Sequence, residues 1–174
     1  MDILYTVEEK YLQAMDELNY GETPKAMHLL KELIATDDTY ARAHYGLGTI
    51  YHYYIKDYKA AGYYYQTGMD LDETIPDLYE DYLKLLVTLQ LHKKIEQVTA
   101  KALEVPGVNL ARIYEMIGVY EEQRQNFALA KQHYQKAASI TVVDNEHDLL
   151  QGHLKRVSGK LKAKQQMVYA YEGS

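Results

Sequence analysis

The chain has no cysteine in its 174 residues, which excludes disulfides, thiolate metal ligands and a cysteine nucleophile. It also has no run of eighteen apolar residues, so no segment is predicted to span a membrane. The N-terminus, Met1-Asp2-Ile3-Leu4-Tyr5-Thr6-Val7-Glu8-Glu9, carries acids where a secretory leader has a basic start and an apolar stretch. These absences point to a cytoplasmic chain with no membrane attachment. No segment alternates with period two for long enough to make a strand. Basic charge is in deficit, 19 Lys and Arg against 25 Asp and Glu for a net charge of −6. That balance argues against a nucleic-acid partner, because affinity for such a backbone comes from neutralising phosphates.

What remains is the composition of a folded soluble protein, 47% apolar and 25% charged. The charge is unevenly placed. Up to Glu80 there are fifteen acids and six bases, 6 − 15 = −9; from Asp81 onward there are thirteen bases and ten acids, 13 − 10 = +3. The basic excess lies mostly in Lys155, Arg156, Lys160, Lys162 and Lys164, which reads as a solvated face of a terminal helix.

A repeat organises the chain. Small or apolar residues recur at Ala26, Ala61, Ile95 and Ala130, in steps of 35, 34 and 35. Leu33, Gly68, Ala102 and Ala137 step identically, and the bulky Tyr11, His44, Tyr79 and Tyr114 step by 33, 35 and 35. A period near 34 belongs to a helix–turn–helix repeat. Within it the apolar spacing is helical: Tyr79, Tyr82, Leu83, Leu86 and Leu89 make one stripe, and Ile95, Val98, Ala102 and Val105 its partner. The spacing predicts helices over 6–19, 24–36, 40–54, 57–70, 76–89, 92–104, 109–123, 126–139 and 146–166. Thr23-Pro24 reads as an N-cap and first helical residue, Asp57 and Asn126 as N-caps, and Pro106-Gly107 as a helix stop.

At these positions the chain resembles the tetratricopeptide repeat family. In Ala41–Asp72, His44, Leu47-Gly48 and Tyr51 take the places of the family's aromatic, Leu-Gly and Tyr, and Ala61 and Tyr65 match its Ala-x-x-x-Phe. Leu110–Thr141 repeats the pattern with Tyr114, Ile117-Gly118, Ala130, Tyr134 and Ala137. Asp77–Pro106 diverges, with Leu83 for Gly, and Ile95 and Thr99 for Ala and Phe; the first pair is loosest, with Ala14-Met15, Leu18, Ala26 and Leu30. The resemblance covers about residues 8–141. It implies an all-α, right-handed α-α superhelix of about four helix pairs (8–38, 41–74, 76–106, 110–141) in a single domain over 1–166. Leu150, Leu154, Val157 and Leu161 then form one apolar stripe. It reads as a capping helix over about 146–166 or as a homodimer seam, and residues 167–174, Gly173-Ser174 included, as a tail.

In this family the first helices of successive pairs line a groove that holds a peptide or helix. Carried over by position, the groove comprises Leu12, Asp16, Asn19 and Tyr20; then Tyr45, Thr49, His52 and Tyr53; then Glu80, Asp81 and Lys84; then Glu115, Met116 and Val119. One subset of the family clamps carboxylates there with Lys, Arg and Asn. Here Gly46, Asp77 and Asp81 stand in those places, so charge repulsion disfavours an acidic ligand and favours a basic or amphipathic one. Tyrosine is abundant, nineteen residues against one Phe and no Trp, with nine between Tyr40 and Tyr65. Such residues suit both helix packing and a binding surface.

Signs of catalysis are missing. There is no His-x-x-x-His, and Glu146-His147-Asp148 with His153 reads as a helix start rather than a metal site. Asp37-Asp38 and Glu121-Glu122 read as helix ends and exposed faces, and Gly46-x-Gly48 lies inside a helix, not in a phosphate loop. The expectation is a non-enzymatic protein-binding module that needs no metal or cofactor. A dedicated chaperone resembling those of type III secretion systems, and an oligomerisation scaffold, are the alternatives.

Overall fold

The computed structural model describes residues 6–172, and across them nine α-helices follow one another with no strand. They are α1 (Val7–Asn19), α2 (Thr23–Thr36), α3 (Ala41–Thr49), α4 (Tyr58–Leu71), α5 (Pro76–Thr88), α6 (His92–Ala102), α7 (Leu110–Gln123), α8 (Phe127–Ile140) and α9 (Asp144–Glu172). The first eight match the predicted helices closely. The last departs: α9 continues to Glu172, through most of the expected tail, while Gly173-Ser174 lies outside the described residues. A second difference is local. The helix predicted over 40–54 is α-helical only to Thr49 and then becomes a π-helical segment, Ile50–Ile55.

The chain divides into two compact units, 1–86 and 87–174. In the first, α1 packs on α2, α2 on α3 and α3 on α4, around Ala14, Leu18, Ala26, Leu30, Leu33, Ala43 and Leu47. A reciprocal capping box opens α1: Thr6 Oγ1 accepts from the Glu9 N–H and Glu9 Oε2 accepts from the Thr6 N–H. The linkers between pairs repeat one device. Thr39 donates its N–H and hydroxyl to Asp37 Oδ1, and Thr74 does the same to Asp72 Oδ1. In the following helices, the His44 ring meets the Asp38 carbonyl at 2.9 Å, and the Tyr79 hydroxyl donates to that of Glu73 at 2.8 Å. Two rungs of the bulky ladder seen in the sequence, His44 and Tyr79, are therefore ties on the linker backbone as well as packing. In the second unit α6 meets α7, α7 packs on α8 and α8 on α9, with Ala130, Tyr134, Ala137, Leu150 and Val157 buried together.

Small residues set the helix separation. Tyr65 and Tyr134 are wholly buried, and each ring lies flat against a glycine of the helix before it. A Cβ on Gly48 would come within 2.5 Å of the Tyr65 ring, and one on Gly118 within 2.6 Å of the Tyr134 ring. The repeat also contains a feature that residue type conceals. Gly21, Lys56, Gln90 and Gln125 all have φ between 57° and 87°, one at each turn inside a pair. Only the first is the glycine that such a backbone favours. Two predicted caps differ. Asp57 does cap α4, accepting from the Ala60 N–H. Asn126 makes no cap bond, and its amide nitrogen donates to Glu121 Oε2. Thr23 is the first helical residue of α2, not its cap.

Two kinds of glycine therefore predict two sizes of effect. Gly48→Ala or Gly118→Ala drives a methyl into a ring with no room to move. Overpacking of about 3 kcal/mol less the roughly 1 kcal/mol helix-propensity gain leaves a net loss near 2 kcal/mol. Gly21→Ala meets no atom within 4 Å and loses only about 1 kcal/mol, from the left-handed backbone. Urea denaturation of the three variants checks the ordering; equal losses would contradict it.

Candidate functional site

In the first unit the predicted groove residues of α3 and α5 converge on one carboxylate. Asp81 accepts a hydrogen bond from the Tyr45 hydroxyl at 2.8 Å and from the Tyr53 hydroxyl at 2.6 Å. Lys84 places its ammonium 5.0 Å from the centre of the Tyr53 ring. The π-helical segment explains how Tyr53 takes part. Its wide turns, bonded i→i+5, move residues 52 and 53 off the α-helical stripe and bring both hydroxyls to one side. Burial, reinforced by the Asp81 charge, holds the Tyr45 and Tyr53 hydroxyls above the ordinary tyrosine range, so both remain donors.

One predicted surface residue lies inside instead. His52 is only 6% exposed: its ring stacks on Tyr53 at 4.2 Å, and Nδ1 lies 3.2 Å from the Tyr65 hydroxyl. Burial pushes its pKa below the ordinary value, which keeps it neutral near pH 7. His52 supports the site from beneath and does not line it. Thr49 donates to the Tyr45 carbonyl, and Glu80 is half-buried beside Asp81. On α1, Leu12, Asp16 and Tyr20 are exposed, Tyr20 at 84%, and none of the three joins the Asp81 cluster.

In the second unit the predicted groove residues meet α9. Glu115 lies 3.3 Å from His153 Nε2 and 3.6 Å from Arg112, Val119 packs on the Tyr134 core, and Met116 is half-buried. The expectation of exposed acids at Glu121-Glu122 is overturned, since each is 9% exposed. Glu122 receives a bidentate Arg156 pair at 2.8 and 2.7 Å, the Lys160 ammonium at 2.9 Å and the Tyr134 hydroxyl at 2.8 Å. The Arg156 hydrogen bonds outweigh burial and hold its pKa down at about 2. The basic face of α9 is thus partly an internal anchor, not solvated throughout. Arg156 and Lys160 stand one helical turn apart, which is the only advance sign of the contact. Glu146 is engaged by Arg112 and Thr141. Among the described residues no three His, Asp or Glu side chains gather as a metal site, and no helix is long and apolar enough to cross a membrane.

No family model matches the chain, and no curated relative matches it either. Solved structures do. Pseudomonas aeruginosa PilF superposes with a TM-score of 0.75 at 17% identity, over 95% of this chain and 72% of that one. PilW, a widely conserved type IV pilus biogenesis factor, gives 0.70 at 14%, over 92% and 78%. A human IFIT1 dimer with m7Gppp-AAAA gives 0.78 at 21%, over 91% of this chain and 39% of that one. At these identities the likeness shows the fold: an all-α, tetratricopeptide-like chain of the α-α superhelix class.

Because Glu122 falls from 4.5 to about 2 on folding, its contribution is complete above about pH 4.5. It is lost progressively as the pH drops towards 2, and amounts to about 3 kcal/mol. Denaturation midpoints measured between pH 5 and pH 2.5 should fall steeply. In Glu122→Gln the protein should be weaker at pH 7 and the fall shallower; an unchanged pH profile would refute the assignment.

Proposed function

We propose that the chain is a non-enzymatic protein-binding module that holds a basic, amphipathic helix of a partner. The contact face is on the first unit, where Leu12, Asp16, Tyr20, Tyr45, Thr49, Tyr53, Glu80, Asp81 and Lys84 are carried by α1 and its C-cap, α3, the π-helical segment after it, and α5. The observation behind this reading is the seating of α9 in the second unit. There a helix with one apolar stripe, Leu150, Leu154 and Val157, lies against the last pair, and His153, Arg156 and Lys160 meet Glu115 and Glu122 of α7. The molecule thereby contains an example of a basic amphipathic helix held by carboxylates on the first helix of a pair. By the repeat step of 35, Glu115 corresponds to Glu80 and Glu122 to Val87, so α5 offers the first of these two carboxylates, with Asp81 beside it.

Preorganisation adds to the case. The Tyr45 and Tyr53 rings are fixed by Asp81, so little side-chain entropy remains to be lost when a partner docks. The carboxylates Asp16, Glu80 and Asp81 also disfavour a phosphate backbone on this face, although human IFIT1 was solved with m7Gppp-AAAA. In the second unit Glu115 and Val119 are engaged by the chain itself, so the proposal does not extend to them.

Fluorescence anisotropy with a labelled synthetic helix, apolar on one face and Lys/Arg-rich on the other, tests the reading. Binding should weaken at least tenfold in Glu80→Gln/Asp81→Asn and weaken with added salt. Equal affinity for a matched Glu-rich helix, or no response to the double substitution, would sink it.

A further inference from the structure

Beside the Asp81 cluster, still within the first unit, is a cleft of about 250 Å³ lined by Tyr11 of α1, Arg42 and Tyr45 of α3, and Asp72, Pro76 and Asp77 from the linker and start of α5. It is large enough for one long side chain and too small for a helix. Its charges are out of balance. Arg42, the one cation in the lining, already pairs with Glu8 at 3.1 Å, and Glu8 also accepts the Tyr40 hydroxyl. Asp72 has one oxygen committed to Thr74, whose hydrogen bonds hold its pKa below the ordinary carboxylate value. Asp77 has no hydrogen-bond or ion-pair partner among the described residues. Asp72 also feels the charge of Arg42, so Asp77 is the carboxylate of the lining that has no cation of its own.

The walls suit a cation as well. Tyr11 and Tyr45 present aromatic rings, and a guanidinium is attracted to such a face while forking to a carboxylate. The Tyr45 ring is immobilised by its bond to Asp81, so that wall is formed before anything enters. Tyr11 is braced edge-on by Tyr40 at 5.9 Å.

We propose that this cleft is the socket for an arginine side chain of the docked partner, with the guanidinium between Asp72 and Asp77 and its stem against Tyr11, Tyr45 and Pro76. The proposal rests on the docking face argued above and names its anchor.

The test is an NMR amide-shift titration with N-acetyl-arginine amide, and with N-acetyl-citrulline amide as the neutral isostere. Saturable shifts are expected at residues 72–77 and at Tyr11, with affinity at least fivefold lower for the citrulline compound. Asp77→Asn, at an exposed first-turn position of α5 where loss of the charge costs the helix only its small interaction with the dipole, should weaken the arginine compound at least fivefold, as should Tyr11→Leu. Equal binding of citrulline, or indifference to Asp77→Asn, overturns the socket. A basic helical peptide that binds tightly and ignores Asp77→Asn also overturns the socket while leaving the docking face intact. Arginine-amide binding that needs Asp77, with no binding of the helical peptide, upholds the socket and removes the docking face.

Discussion

A tyrosine ring lying on a bare glycine is the contact from which much of this molecule follows. In the second and fourth pairs the ring can sit there only because Gly48 and Gly118 have no Cβ. Once it does, its hydroxyl is sealed from water and must find a partner inside. Both pairs solve this at the same repeat position, four residues after the glycine, but with different chemistry. At His52 the partner is a neutral ring delivered by a π-helical turn. At Glu122 it is a buried carboxylate, and a buried carboxylate demands cations of its own. The requirement set by Tyr134 is thereby passed to Arg156 and Lys160, and through them to the seating of α9.

The charge imbalance along the sequence becomes intelligible in these terms. Part of the positive excess in the C-terminal half is drawn inward, to Glu115 and Glu122. The acids of the N-terminal half have fewer such partners. Asp81 is satisfied by two tyrosine hydroxyls, which stabilise its charge without neutralising it. A negative, aromatic surface is thus kept negative by neutral donors, a different arrangement from that at Glu122, where two cations cancel the charge.

The helices were legible in the sequence because apolar periodicity and repeat step agree with each other over four pairs. The π-helical segment was not, since Ile50–Ile55 contains no glycine, proline or other breaker, and the wide turn is imposed by what its side chains must reach. That one shift explains why Tyr53 joins Tyr45, Asp81 and Lys84 on one side, whereas His52 turns inward as Glu122 does at the equivalent place of a regular α-helix. The burial of Glu121 and Glu122 was hidden for another reason. An acid pair looks like a surface feature until its cations are known, and these come from a helix more than thirty residues away. Asn126, predicted as a cap, donates to one of the same buried acids.

The left-handed residues at the four intra-pair turns show how such a fold can persist while its sequence drifts. Gly21, Lys56, Gln90 and Gln125 share a backbone conformation across three residue types. A comparison that weighs residue identity sees Gly, Lys and Gln there, while one that weighs geometry sees the same turn four times. This chain superposes on solved structures at below 25% identity and yet matches no family model. Within this one chain a single torsion is kept at four turns while the residue that adopts it changes, so the backbone records a repeat that the side chains there do not spell out.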